Sequence, residues 1–201
     1  MGRTSDARGK LLTAALDLIW TSSYGSVSVE DICVRADVNK GSFYHFFQSK
    51  SDLAVAAYEA HWQQKRPHWD AIFSPEHDPL QRLEKWLAAI YEGQREKFEK
   101  YGHVVGCPYA NAGSELATQD PKIRAKTQEM LERGLRYLET AIADAQRINL
   151  IAVADTRATA KQISCSILGL MIQAKIENNL AVLQELKPTV CRLLGSKWAA
   201  A

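Results

Sequence analysis

Between Ser28 and Leu53 the chain reads SVEDICVRADVNKGSFYHFFQSKSDL, and this stretch leaves the backbone few choices. Ser28 can accept a hydrogen bond from the free N–H groups of a following helix, and Asp31 stands three residues on, where a capping-box acid belongs. Ile32, Val34 and Ala36 give that helix apolar cover for about two turns. Asp37-Val38 breaks it. Asn39 caps a second helix whose first turn is Lys40-Gly41-Ser42. Phe43, Phe46 and Phe47 are three and four apart and are expected to face inward together, which leaves Lys40, Ser42, Tyr44 and His45 outward. Ser49 caps a third helix, with Asp52 at its capping-box position. Two short helices across a tight turn, followed by a supporting helix, are a helix-turn-helix.

The outward residues suit DNA. Gly41 permits close backbone approach, Lys40 and His45 can meet phosphate, and Tyr44 can stack or donate its hydroxyl. Lys50 adds charge to the free N–H groups of a helix start, a ready phosphate site. A helical hairpin with a purely structural phenylalanine core would not call for Lys-Gly-Ser on an exposed helix start.

This segment, with Leu11, Leu12, Ala14, Ala15, Leu16 and Leu18 before it, resembles the TetR family of transcriptional regulators. The resemblance implies an all-α protein: an N-terminal three-helix helix-turn-helix domain, residues 1–54, and a C-terminal helical effector-binding and dimerisation domain, residues 55–201. It further implies a homodimeric repressor on a palindromic double-stranded operator. Carried over by position, Ser28, Lys40, Gly41, Ser42, Tyr44, His45 and Lys50 form the DNA-contact set, with Asn39 and the leading Thr4 beside them. Tyr24-Gly25 departs from the family by reversing the usual order of glycine and aromatic residue.

The whole chain fits these expectations. Its 201 residues, 46% of them apolar, can bury a sizeable core. The net charge of +2 excludes a polycationic coating protein, and residues 1–50 hold six Lys/Arg against five Asp/Glu, so the placement of charge matters more than its total. Arg3, Arg8 and Lys10 form a small basic cluster that reads equally as a DNA-touching arm or as a solvated helix start. No run has membrane-spanning length and the first residues lack a secretory apolar stretch, so a cytoplasmic protein without membrane contact is expected.

Helix signals continue to the end. A helix from Lys50 is expected to run to about Arg66, where Pro67 stops or kinks it. Asp78-Pro79 opens one closed by Gly102, and Asp120-Pro121 opens one reaching about Ala145. Another runs from Asp155 to about Asn178, and a last one covers Leu183 to Leu194. In the penultimate helix Ile163, Ile167, Leu170 and Ala174 form a stripe, with small Ser164, Ser166 and Gly169, that can serve a partner helix, the chain's own core, or both.

The second informative segment is Gly106-Cys107-Pro108. Pro108 reads as the first residue of a helix, which places the Cys107 thiol at a positive helix end that favours thiolate. Cys33, Cys165 and Cys191 read as small core residues. No Cys/His spacing suits a metal, and no cofactor is expected. Cys107 together with Gln173-Ala174-Lys175-Ile176 is similar to a TetR branch that represses N-ethylmaleimide reductase-type genes. There the thiol senses electrophiles and the lysine is its partner, so the resemblance gives these roles to Cys107 and Lys175. The same Gly-Cys pair occurs in relatives that bind small carboxylates such as acrylate. The residues alone leave Cys107 as either a sensor thiol or an inert helix-start cysteine, and Lys175 as its partner or an ordinary paired lysine.

An effector pocket would draw on Tyr58, Trp62, Tyr91, Asn111 and Gln173 beside Cys107 and Lys175. Trp69, Trp86, Phe98, Tyr109 and Ser114 also lie on or near the central helices. This mixture suits a small electrophile or unsaturated acid better than a lipophilic cation, for which Glu115 is the one candidate acid. Two other classes compete. A cysteine enzyme would pair Cys107 with His103, but no acid is placed to orient the imidazole. A protein-binding adaptor would have no use for the Lys40-Gly41-Ser42-Tyr44 surface.

Overall fold

A computed structural model of the chain describes the backbone of residues 2–195 and the side chains from Asp6 to Gly195. The described residues form nine α-helices and one 3-10 turn, with no strand among them. The helices are α1 (Gly2–Thr21), α2 (Val29–Ala36), α3 (Lys40–Phe46), α4 (Lys50–Ile72) and α5 (Pro79–Tyr101). They continue as α6 (Pro108–Leu116), α7 (Pro121–Arg147), α8 (Thr156–Glu177) and α9 (Leu186–Leu193), with the 3-10 turn Leu180–Glu185 leading into α9.

The caps form as their local chemistry dictates. Ser28 and Asp31 make a reciprocal capping box on α2, and Asn39 Oδ1 accepts from Ser42 N at 2.8 Å to start α3. Asp78 Oδ1 takes the N–H groups of Leu80 and Gln81, Asp120 Oδ1 those of Lys122 and Ile123, and Asp155 Oδ1 that of Ala158. Each such cap is worth about 1 kcal/mol. Gly102, with φ of 76°, closes α5 in the left-handed conformation that glycine adopts without strain.

Four local expectations need correction. Pro67 does not stop α4, which continues to Ile72. Proline removes one N–H donor and crowds one carbonyl, but the turns on either side persist, with Arg66 paired to Asp70 at 3.4 Å. Val34 lies 77% exposed, and Cys33 takes the buried place beside Ile32 on α2. Phe46 is only half-buried, while Phe43 and Phe47 form the inward pair. The last helix is preceded by a 3-10 turn rather than starting at Leu183.

The chain packs as two compact units. The first comprises residues 1–65 and 108–131. Leu11, Ala15, Ile32, Phe43, Leu53 and Tyr58 are among its fully buried side chains. The second comprises residues 66–107 and 132–201. Its core gathers Leu83, Leu87, Leu138, Ile142, Ile163, Ile167 and Ala174 with Leu183, Leu186 and Val190. The Ile163–Ile167–Ala174 stripe therefore faces the chain's own core. Within this unit the Arg82 guanidinium is buried, bonded to Asp144 Oδ2 at 2.6 Å and to the carbonyls of Pro75 and His77. That holds the loop before α5 closed.

Candidate functional site

The first unit presents α3 outward. Phe43 is fully buried and Phe47 nearly so, their rings 6.0 Å apart, and this pins the helix to its support. Lys40, Gly41, Tyr44 and His45 are left exposed, with Ser42 half-buried. Tyr44 stands edge-on to Phe43, ring centres 5.0 Å apart, and keeps 60% of its surface. A Cβ on Gly41 would approach Asn39 Oδ1 to 3.3 Å, so the bare glycine also protects the cap. An open cleft of about 660 Å³ runs along this face, lined by Lys10, Asn39, Gly41, Ser42, His45 and Phe46 among others.

The described cations here are already engaged. Lys40 Nζ lies 2.8 Å from Glu30 Oε2, and this partner raises its pKa. Arg35 is 2.5 Å from Asp17, Lys10 is 3.1 Å from Asp6, and Arg8 covers the Phe47 ring at 5.6 Å. Lys50 turns inward: its ammonium donates to the carbonyls of Tyr24 and Val27 at 2.8 and 2.7 Å and sits 4.1 Å from the Tyr24 ring centre. Burial lowers its pKa against the opposing pull of Glu115 and Asp31. Ser28 is exposed and occupied by its cap, donating to Asp31 Oδ2 at 2.7 Å. Thr4 lies in α1, its side chain outside the described residues.

The expected effector residues divide between the units. In the first, Tyr58 and Trp62 are buried one turn apart on α4, and Asn111 is half-buried on α6. Tyr58 meets Tyr109 edge-on at 5.6 Å, and His61 meets Trp20 edge-on at 5.4 Å. In the second, Tyr91 and Cys107 pack half-buried against the core. Lys175 is half-buried, whereas Gln173 is exposed and donates to Glu177 Oε1 at 2.5 Å.

Cys107 follows a tightly held loop. The buried Gln94 amide grips the Gly106 peptide from both ends, donating to its carbonyl at 3.2 Å and accepting from its N–H at 3.0 Å. Gly106 has φ of 72°, a conformation that favours glycine. Val104 N–H donates to Asn178 Oδ1 at 3.0 Å, which ties the loop to the end of α8 three residues past Lys175. Cys33 and Cys191 are buried, and burial raises both their pKa values, which favours the inert thiol. Cys165, expected in a core, is exposed on α8.

The pattern of the tetR family of bacterial regulatory proteins matches residues 11–57, and that of the tetracyclin repressor-like C-terminal domain matches residues 79–190, more than half of the chain. The chain belongs to the tetR family. It is a DNA-binding transcriptional regulator rather than an enzyme, and His103, weighed as a base, has Nδ1 3.0 Å from the Tyr101 carbonyl oxygen. Among relatives, the transcriptional regulator AcuR of Cereibacter sphaeroides is 31% identical over 85% of this chain and 77% of its own length. The transcriptional repressor NemR of Escherichia coli is 23% identical over 89% of both chains. The fold matches the crystal structure of a regulatory protein TetR from Rhodobacter sphaeroides with a TM-score of 0.83, 28% identity, and coverage of 93% of this chain and 98% of that one. These two relatives agree with the narrower sequence resemblance. No described helix of this tetR-family chain is long and apolar enough to cross a membrane.

Three features escaped the sequence reading. Glu30 faces Lys40 across the helix-turn-helix. Glu115, weighed as an acid for cationic effectors, instead accepts from the N–H groups of Tyr24 and Gly25. On α8 the exposed apolar line is Cys165, Gly169, Ile172 and Ile176, spaced four, three and four apart. That spacing was visible, but an adjacent stripe of the same helix carries an equally good pattern.

Proposed function

We propose that this chain is a homodimeric repressor, with residues 1–54 as its DNA-binding part and residues 55–201 as its effector-binding and dimerisation part. What carries the reading is the capped, outward-facing start of α3 on a buried phenylalanine base. Lys40, Ser42, Tyr44 and His45 meet the operator, and Gly41 lets the backbone approach it. Asn39 and Ser28 set the two helix starts, and the leading segment with Thr4 adds a flanking contact. At the start of α4 the N–H groups of Lys50 and Ser51 receive phosphate, since the Lys50 ammonium is occupied and Asp52 N–H is held by Ser49 Oγ.

Dimerisation uses the exposed line Cys165, Gly169, Ile172 and Ile176 of α8. A Cβ on Gly169 would meet nothing within 4 Å, so a partner helix can come close. Two copies set their recognition helices roughly 34 Å apart, one turn of DNA. The signal enters at Cys107, by modification with an electrophile or oxidant or by a small molecule bound beside it, with Lys175 as the thiol's partner. Tyr58, Trp62, Tyr91, Asn111 and Gln173 complete the effector-responsive set. The likeness to NemR, whose crystal structure is of a reduced form, supports the thiol branch of this reading. A coupling of about 1–3 kcal/mol, or 5–150-fold in DNA affinity, suffices for a switch.

The test is binding to the DNA upstream of the protein's own gene under reducing conditions, then after a mild oxidant or N-ethylmaleimide. Release that reductant reverses after oxidation, and that Cys107→Ser abolishes, supports the thiol switch. Binding indifferent to thiol chemistry leaves a reversibly bound effector, with small unsaturated acids the first to try. No binding at all overturns the repressor reading.

A further inference from the structure

The turn between α1 and α2 is held from two opposite chemical sides. Glu115, from the last turn of α6, accepts Gly25 N–H at 2.7 Å and Tyr24 N–H at 3.1 Å, one through each carboxylate oxygen. Lys50, from the first turn of α4, donates to the carbonyls of Tyr24 and Val27. The anion thus sits on the donors of the turn and the cation on its acceptors, the sense in which both charges strengthen hydrogen bonds. The Tyr24 ring completes the assembly: its hydroxyl is 3.0 Å from Ser51 Oγ, which donates in turn to Asp120.

The backbone is shaped for this contact. A Cβ on Gly25 would lie 2.9 Å from Glu115 Oε1, so a side chain there would push the carboxylate off the turn. The reversed Tyr-Gly order therefore places the residue without a side chain where the carboxylate must approach. Three residues beyond Gly25 stands Ser28, the cap of α2, so the turn sets the direction in which the helix-turn-helix leaves α1.

We infer that Glu115 is a positioning residue for operator recognition: it touches no DNA, but fixes the Tyr24-Gly25 turn and through it the presentation of α2 and α3. The inference rests on α3 being the recognition helix. Because Glu115 belongs to α6, which begins at the residue after Cys107, the turn is gripped by the helix nearest in sequence to the thiol.

The test uses the full-length protein and three readouts: affinity for operator DNA, affinity for random duplex at the same salt, and hydrogen exchange of the Tyr24 and Gly25 amides. In Glu115→Gln, loss of one charged acceptor should weaken operator binding roughly five- to fifteen-fold and speed exchange at both amides by a similar factor. Random-duplex affinity should stay within about twofold, since no phosphate contact is altered. Glu115→Asp, which keeps the charge on a shorter arm, should recover part of the loss. Gly25→Ala, which crowds the same carboxylate from the other side, should reproduce it and carries the test if Glu115→Gln fails to fold. Operator affinity unchanged in both Glu115→Gln and Gly25→Ala overturns the inference. So does an equal loss on operator and random duplex alongside a lowered melting temperature, the mark of a merely structural residue. A wild-type protein that binds no operator sinks the repressor reading instead, and the amide exchange separates the two cases.

Discussion

Replacing Ile176 by glutamate puts the proposed dimer face under direct strain. Ile172 and Ile176 keep 41% and 72% of their surface in the single chain. Full burial of an isoleucine is worth about 1.5–3 kcal/mol, so Ile176 has roughly 1–2 kcal/mol still to gain in each protomer. The Ile176→Glu variant forfeits that on both sides of a twofold interface and sets like charges together. The expected loss is about 3–4 kcal/mol, a rise in the dimer Kd on the order of 10²–10³-fold. Sedimentation from nanomolar to micromolar concentration reads this directly. Circular dichroism should be unchanged, because the side chain is a surface group in the monomer. Affinity for a full palindrome should fall with the dimer, while affinity for a single half-site holds. A dimer unaltered by both Ile176→Glu and Ile172→Glu would place the interface elsewhere and refute the reasoning.

Two further outcomes are expected. Glu30→Gln releases the Lys40 ammonium from its 2.8 Å pair and removes a negative charge from the DNA-facing side, so operator affinity should rise about two- to tenfold in a fluorescence titration; a fall would mean that Glu30 aims Lys40. Acid should destabilise the fold through its carboxylates. Hydrogen bonding from Arg82 lowers the Asp144 pKa, and Lys122 and Ser49 lower that of Asp52. Burial works to raise Asp120, but hydrogen bonds from Ser51 and the α7 N–H groups prevail and lower it. Depressed folded pKa values contribute stability that is present above the unfolded value, 3.8, and lost as pH falls through the folded ones. The urea midpoint should therefore drop below about pH 4. Asp144→Asn should flatten that drop, and an unflattened drop would show that the Arg82 pair is not its source.

What the sequence revealed and what it hid follow from distance along the chain. Caps at Ser28, Asn39, Asp78 and Asp120 are decided within three residues, and each forms as expected. The outward set of α3 depends on one helical turn and a phenylalanine anchor, and was equally legible. Lys50 looks from the local sequence like a free charge at a helix start, because its carbonyl partners lie 23 and 26 residues away. Glu115 reaches a turn 90 residues upstream, and no local pattern could foretell it. On α8 two apolar stripes compete, and only the packing of Ile163 and Ile167 against the second core tells which is left over. Pro67 signals a stop or kink, yet a lone proline weakens a helix without having to end it.

The pairing of cations in the first fifty residues has a consequence for traffic on the chromosome. Lys10, Arg35 and Lys40 each hold a carboxylate, Lys50 holds two carbonyls and Arg8 lies on a ring. Meeting a phosphate there means trading an exposed partner of small worth, so each such contact gains somewhat less than an unpaired cation would. The trade is made on any sequence alike, so whatever base contacts the chain makes count for more of the difference between operator and random duplex.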